Sequence, residues 1–168
     1  MSELYQEFES SSDISALPMV AMLSGFSDSG SVIGQLSDHF FSSLKHELVV
    51  RFDNDELLDY RSRRPTLFFE KDHIESYEPA TLAIYLVWDE AGQPFLLLDG
   101  YEPDMRWEAF ARAVTQFCTD NDVQSFTWVH AIPFPIPHTR PTGITVSGNR
   151  QDMIARFSEW KPQTQVPG

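Results

Sequence analysis

The stretch LSGFSDSGSVIG, Leu23 to Gly34, packs three glycines and four serines into twelve residues, with one carboxylate, Asp28, at its centre. Such residues could form a nucleophile turn, a phosphate cradle or a strand-to-helix corner. A nucleophile elbow needs G-x-S-x-G, because only small residues fit around a strained serine turn. Gly25-Phe26-Ser27-Asp28-Ser29 lacks the closing glycine, and Ser29 fails the same pattern. Gly25 and Gly30 have P-loop spacing, but Ser31 stands where the lysine would meet a phosphate. The expectation is a glycine-rich corner whose amides open a helix.

Other chemistry is sparse. The five histidines show no H-E-x-x-H or comparable metal-ligand spacing, so no metal is expected, and no cofactor fingerprint is present. The single cysteine, Cys118, rules out an internal disulfide and reads as a small apolar core residue. Acidic residues are too many for one pair to stand out as acid and base, and no catalytic residue is assigned. DYRSRRP, Asp59 to Pro65, is the one basic cluster, with Arg61, Arg63 and Arg64. In so acidic a chain it is expected to pair with Asp53, Asp55, Glu56 or a partner's acids. His138 and Arg140 sit in PFPIPHTRP, where four prolines in nine residues preclude regular structure and stiffen the loop.

These residues need elements to hold them. PMVAMLSG reads as a buried strand. Val32, Leu36, Phe40 and Leu44 then recur every fourth residue, which predicts a helix with one apolar stripe. Asp28, Ser29 and Ser31 are its candidate N-caps. ELVVRF and TLFFE read as strands, and ATLAIYLVWD with FLLLDG as a hairpin turning at EAGQP. EPDMRWEAFARAVTQFCTDN is the second helix, with Trp107, Phe110, Val114 and Phe117 on one face. Pro103 and Asp104 start it, Glu102 is expected to cap it, and Asn121 ends it. SFTWVHAI and GITVSG read as strands, and QDMIARFSEW as a helix. Helices alternating with buried strands predict an α/β domain, three-layer α/β/α with a mixed sheet. It spans 18–160, after an N-terminal arm (1–17) that is extended or a short helix, and before a tail (161–168).

The 168-residue chain carries 12 Lys+Arg against 25 Asp+Glu, a formal net charge of −13. That disfavours nucleic acid or an anionic membrane as partner, since a phosphate backbone needs a basic face. No basic, apolar leader and no run of membrane-spanning length is seen, so a cytoplasmic protein is expected.

Four segments in order, GFSDSGSVIGQLSDHF, DYRSRRPT, LLLDGYEPDMRWEAF and PHTRPTGITVSGNR, resemble the motifs of the proteasome-assembly-chaperone family of the second type, in its actinobacterial branch. The resemblance implies an α/β/α fold similar to the phosphorylase/hydrolase class and self-association, into a trimer for example. It assigns Gly25, Asp28 and Gly30 to a first loop, and Arg64 and Pro65 to a second. Glu102, Pro103, Asp104 and Trp107 belong to a third, and His138, Thr139, Arg140 and Pro141 to a fourth. It implies a non-catalytic assembly chaperone or scaffold acting on protein partners. The alternative is a small-molecule hydrolase or phosphorylase-like enzyme with a site near Asp28, Arg64, His138 and Arg140. Family members run on past the last motif, so this chain reads as the front part of a longer domain. It ends Val166-Pro167-Gly168, without the hydrophobic-Tyr-x tail by which some assembly chaperones dock into a proteasome ring.

Overall fold

The computed structural model describes residues 4–157. Contacts divide the chain into two compact units, Met1–Pro133 and Phe134–Gly168.

The first unit is built on a mixed six-stranded sheet. Its strands are β1 (Tyr5–Glu7), β2 (Pro18–Ser24), β3 (His46–Phe52), β6 (Ala83–Trp88), β7 (Pro94–Tyr101) and β8 (Ser125–Trp128), in the order β1-β3-β6-β7-β2-β8. The pairs β1–β3, β3–β6 and β6–β7 are antiparallel, whereas β7–β2 and β2–β8 are parallel. β4 (Thr66–Glu70) and β5 (His73–Glu78) form a separate two-stranded antiparallel ribbon.

Strand alternation sorts the side chains of the sheet into two cores. Met19, Ala21 and Leu23 of β2, Leu96 and Leu98 of β7, and Ile84 and Leu86 of β6 pack with Phe110, Ala113, Val114 and Phe117 of α3 (Trp107–Asp120). The alternate residues Val20, Met22, Tyr85, Val87, Phe95 and Leu97 pack with Ile33, Leu36, Phe40 and Phe41 of α1 (Val32–Ser43). One helix thus covers each face, giving the expected α/β/α layers. The strands between them are apolar on both faces, which is why they read as continuous hydrophobic runs.

The helix ends follow local chemistry. Asn121 ends α3, and its Nδ2 donates to the Phe117 carbonyl at 2.9 Å. At the start of α1, a 3-10 turn (Ser29–Ser31) precedes the helix. Ser31 occupies the N-cap position without a side-chain cap bond; that bond comes from Asp28, whose Oδ1 accepts from the Ile33 amide at 2.9 Å. The N-terminal arm supplies an edge strand, with Tyr5 opposite Phe52 and Leu4 buried. A four-residue helix, α2 (Asn54–Leu57), follows β3, with Asp53 as its cap.

Gly100 is where the sheet tolerates no side chain. Its φ is +142°, and a Cβ there would lie 2.3 Å from the Thr81 carbonyl oxygen.

In the second unit the Pro-rich stretch is irregular, as expected. Turns close through the Ile136 amide on the Phe134 carbonyl (2.8 Å) and the Arg140 amide on the Pro137 carbonyl (3.0 Å). The predicted strand GITVSG is not one: 141–147 carry no regular structure. A β-branched run becomes a strand only beside an edge that accepts its amides, and none pairs with it among the described residues. The expected last helix is short, α4 (Gln151–Ile154) followed by a 3-10 turn (Ala155–Phe157). Arg150 donates to both Asp152 oxygens (2.9 and 2.7 Å) and holds that carboxyl down at about 2. Ser158 to Trp160 and the tail lie outside the described residues.

Gly100→Ala combines a disfavoured φ with a collision against rigid backbone. It should cost about 2–3 kcal/mol, read as a lowered urea midpoint with an unchanged slope; a midpoint equal to the parent's would refute the close approach.

Candidate functional site

The parallel strands β2 and β7 end side by side, with Ser24 opposite Tyr101. The first motif loop leaves from one and the third from the other, and the two are tied together. The Glu102 amide donates to the Ser24 carbonyl at 2.8 Å, and the Ser24 hydroxyl to the Gly100 carbonyl at 3.1 Å. Glu102 Oε2 then accepts from the Phe26 amide at 3.0 Å. Glu102 therefore does not cap α3 as expected; it reaches sideways to the neighbouring loop, because the register sets Gly25 directly beneath it. A Cβ on Gly25 would fall 1.8 Å from Glu102 Oε2. With its amide held, Phe26 still projects its ring outward, 88% exposed.

Asp28 has two attachments. Its carboxylate caps α1, and its backbone forms a parallel bridge with Ala131 beyond β8. The Ser29 amide and the Ser27 hydroxyl both donate to the Ala131 carbonyl, at 3.0 and 3.1 Å. Gly30 takes a φ of +72°, the left-handed turn into the helix.

Asp104 joins the third motif to the second. Its Oδ2 accepts from the Asp59 amide at 2.9 Å, its Oδ1 lies 3.2 Å from Arg63, and its own amide donates to the Leu57 carbonyl at 2.9 Å. Arg63 also lies over the Tyr101 ring. The basic cluster thus pairs differently from expectation: Arg61 with Asp59, Arg63 with Asp104, while Glu56 pairs with Arg106. Asp53 is engaged in capping α2. Arg64 is exposed and unpaired among the described residues, beside a half-buried Pro65. Pro103 is buried, and Trp107 is exposed with its ring edge-on to Phe110. The fourth motif, His138, Thr139, Arg140 and Pro141, is exposed throughout its turn in the second unit.

Within the first unit, each motif acid accepts from a backbone amide: Asp28 from the helix it precedes, Glu102 and Asp104 from neighbouring loops. This arrangement fixes loop positions. Among the described residues, no group of three His, Cys, Asp or Glu is placed to hold a metal ion.

One ionisable group in the first unit was not singled out from sequence. Asp99 lies on β7 in step with Phe95 and Leu97, so the alternation aims it at α1 rather than at solvent. Ser37 donates to its Oδ2 at 3.1 Å. A cleft of about 240 Å³ opens beside it, lined by Ser24, Ile33, Gly34, Ser37, Thr81 and Asp99 among others. Burial pushes its carboxyl up to about 6; the Ser37 bond opposes the rise and the charge of Asp38 adds to it. The available signal was a lone acid breaking the apolar alternation of FLLLDG. Cys118 is half-buried against the α3-side core, and burial pushes its thiol up, consistent with an inert residue.

A carboxyl raised in the folded state makes the native protein hold a proton more tightly than the unfolded chain. Stability then falls as pH rises from about 4 through about 6. Asp99→Asn keeps an acceptor for Ser37 and removes that loss. It should exceed the parent by about 1–2 kcal/mol at pH 7.5, since water in the cleft screens part of the cost. The two proteins should converge by pH 4 in urea titrations; an equal advantage at both pH values would exclude an ionised, poorly solvated Asp99.

Comparison with known proteins places this geometry in a family. The model of the PAC2 family matches residues 22–168. A Corynebacterium glutamicum protein of unknown function has a similar structure, at a TM-score of 0.90 and 34% identity, over 98% of this chain and 63% of that one. A Mycobacterium tuberculosis protein of unknown function is similar at a TM-score of 0.89 and 36% identity, over 100% of this chain and 60% of that one. A proteasome-assembly chaperone homologue, also from M. tuberculosis, shares the fold at a TM-score of 0.80 and 21% identity, over 90% of this chain and 65% of its own. The chain therefore spans less than two thirds of the length of these structures. No curated protein matches it. Four ordered motifs, the family match and the shared fold agree: this chain belongs to the PAC2 family.

Proposed function

We propose that this chain is a non-catalytic scaffold or assembly chaperone that acts through protein–protein contacts and associates with itself. The observation that carries the reading is the β4–β5 ribbon. Leu67 pairs with Tyr77 and, past a register shift after Phe68, Phe69 pairs with Ile74, so each pair sets two apolar side chains together. All four are exposed, Phe69 by 67% and Tyr77 by 60%, and Phe68 is exposed as well. A two-stranded ribbon alone is marginal in water and gains stability by covering its apolar side chains. Burying each such side chain yields about 1.5–3 kcal/mol. A large apolar patch of this kind on a folded surface suits a protein interface.

Family membership supports the same reading, as does the fold shared with a proteasome-assembly chaperone homologue. The motif acids of the first unit add to it, since they are engaged in holding loops. A stiff platform lowers the entropy lost on association. With a net charge of −13, the partners are proteins rather than nucleic acids, and the cytoplasm is the expected setting.

Sedimentation velocity at micromolar concentration tests this. The parent should sediment as an oligomer, and Leu67→Glu with Phe69→Glu should shift it to monomer without changing its circular dichroism. A monomeric parent, or an oligomer indifferent to both substitutions, would count against the ribbon as contact surface.

A further inference from the structure

The Asp99 cleft has features that loop positioning does not use. Ser37 occupies Oδ2 of Asp99, while Oδ1 has no partner among the described residues and is not sealed from solvent. Around it the walls are largely apolar, from Ile33, Ala80 and the backbone of Gly34 and Gly100, with hydroxyls from Ser24, Ser37 and Thr81. No Lys, Arg or His lines it. On the flanking strands, the residues opposite Asp99 are Met22 and Ala83, both uncharged. α1 brings only Asp38, of like charge, and β6 brings Tyr85, whose phenol is raised by burial and then by Asp99. This is a poorly solvated carboxylate with one open oxygen and no cation at hand.

We propose that this cleft is a socket for the ammonium of a lysine side chain carried on a basic segment of a protein partner. The inference rests on the reading of the chain as a protein that works through contacts, and it names the chemistry of one contact. Lysine fits the cleft in both halves. Its four-carbon stem packs along apolar walls while its charged tip meets Oδ1. Its remaining donors face the Ser24 and Thr81 hydroxyls, which can accept. Arginine fits less well, because its planar fork needs both carboxylate oxygens and Ser37 holds one of them.

Two observations favour a partner segment over a free amine. Phe26 follows Ser24, a residue of the cleft lining, by two positions in the chain. It is 88% exposed on a loop pinned by Glu102, which makes it a rigid aromatic anchor of the kind that dominates protein interfaces. The chain's charge of −13 also draws a basic segment toward it.

The test is an amide-resolved NMR titration of the full chain with the peptide acetyl-Ala-Leu-Lys-Leu-Ala-amide. Shifts are expected at Gly34, Ser37, Asp99 and Gly100, with a dissociation constant on the order of a millimolar. Affinity should fall about tenfold between pH 7.5 and pH 5, because Asp99 takes up a proton near pH 6. The same peptide with its lysine acetylated should leave these amides unmoved. Asp99→Asn should abolish binding, and so should Gly34→Leu, which fills the cleft where a Cβ meets nothing within 4 Å and leaves the carboxylate in place. Phe26→Ser should weaken the peptide while leaving n-butylamine unaffected. The socket is overturned if the acetylated peptide binds equally, if Asp99→Asn binds as the parent does, or if n-butylamine binds as tightly as the peptide. The last result would mark a free-amine site. Sedimentation of the same samples keeps the two readings separate. An oligomer that ignores the lysine peptide sinks only the socket, and a monomer that binds it leaves the socket standing.

Discussion

The parallel ladder between β2 and β7 is the constraint from which the rest of the first unit follows. It lies inside the sheet, flanked by β6 and β8, and is covered on both faces, by α3 on one side and α1 on the other. Burial on both faces leaves its register no freedom, because a one-residue slip would exchange the two cores. That register sets Ser24 against Tyr101, and so brings Gly25 under Glu102. Two loops distant in sequence thereby share one hydrogen-bonded corner.

The motif acids of this unit work by a common device. Asp28 receives the Ile33 amide, Glu102 the Phe26 amide, and Asp104 the Asp59 amide. Each carboxylate satisfies a backbone donor that a tight loop would otherwise leave unpaired. Both long helices begin from left-handed residues, Ser31 at φ 53° and Arg106 at φ 56°. Such backbone costs about 1 kcal/mol or more and persists only where its surroundings hold it. Here the holders are Asp28 before α1 and the Leu57 carbonyl, which accepts from Asp104 and Met105, before α3. Stiff loops of this kind suit a surface that presents fixed contacts.

Two features depart from this economy of satisfied groups. The β4–β5 ribbon shows apolar side chains to solvent, and Asp99 carries a poorly solvated carboxyl beside an open cleft. Each is less stable alone than it would be covered, one by apolar surface and the other by a cation. Proteins keep such local costs where a partner relieves them.

The α/β layering was legible in the sequence, because doubly buried strands read as unbroken apolar runs and α1 and α3 as stripes at helical spacing. The hairpin at EAGQP, the Asn121 stop and the Pro-rich irregular loop were legible for the same local reasons. Glu102, Arg63 and Asp99 were not, since their partners lie far along the chain and only strand register brings them together. GITVSG misled because strand propensity is half of a strand; the other half is a neighbouring edge. The sequence by itself determined which segments must be buried and where the chain must turn, through periodicity and turn chemistry that act over a few residues. Only the tertiary structure decided which loops share a corner, which apolar ribbon stays outside the core and which acid faces a cleft, because those depend on strand order and register across the whole sheet.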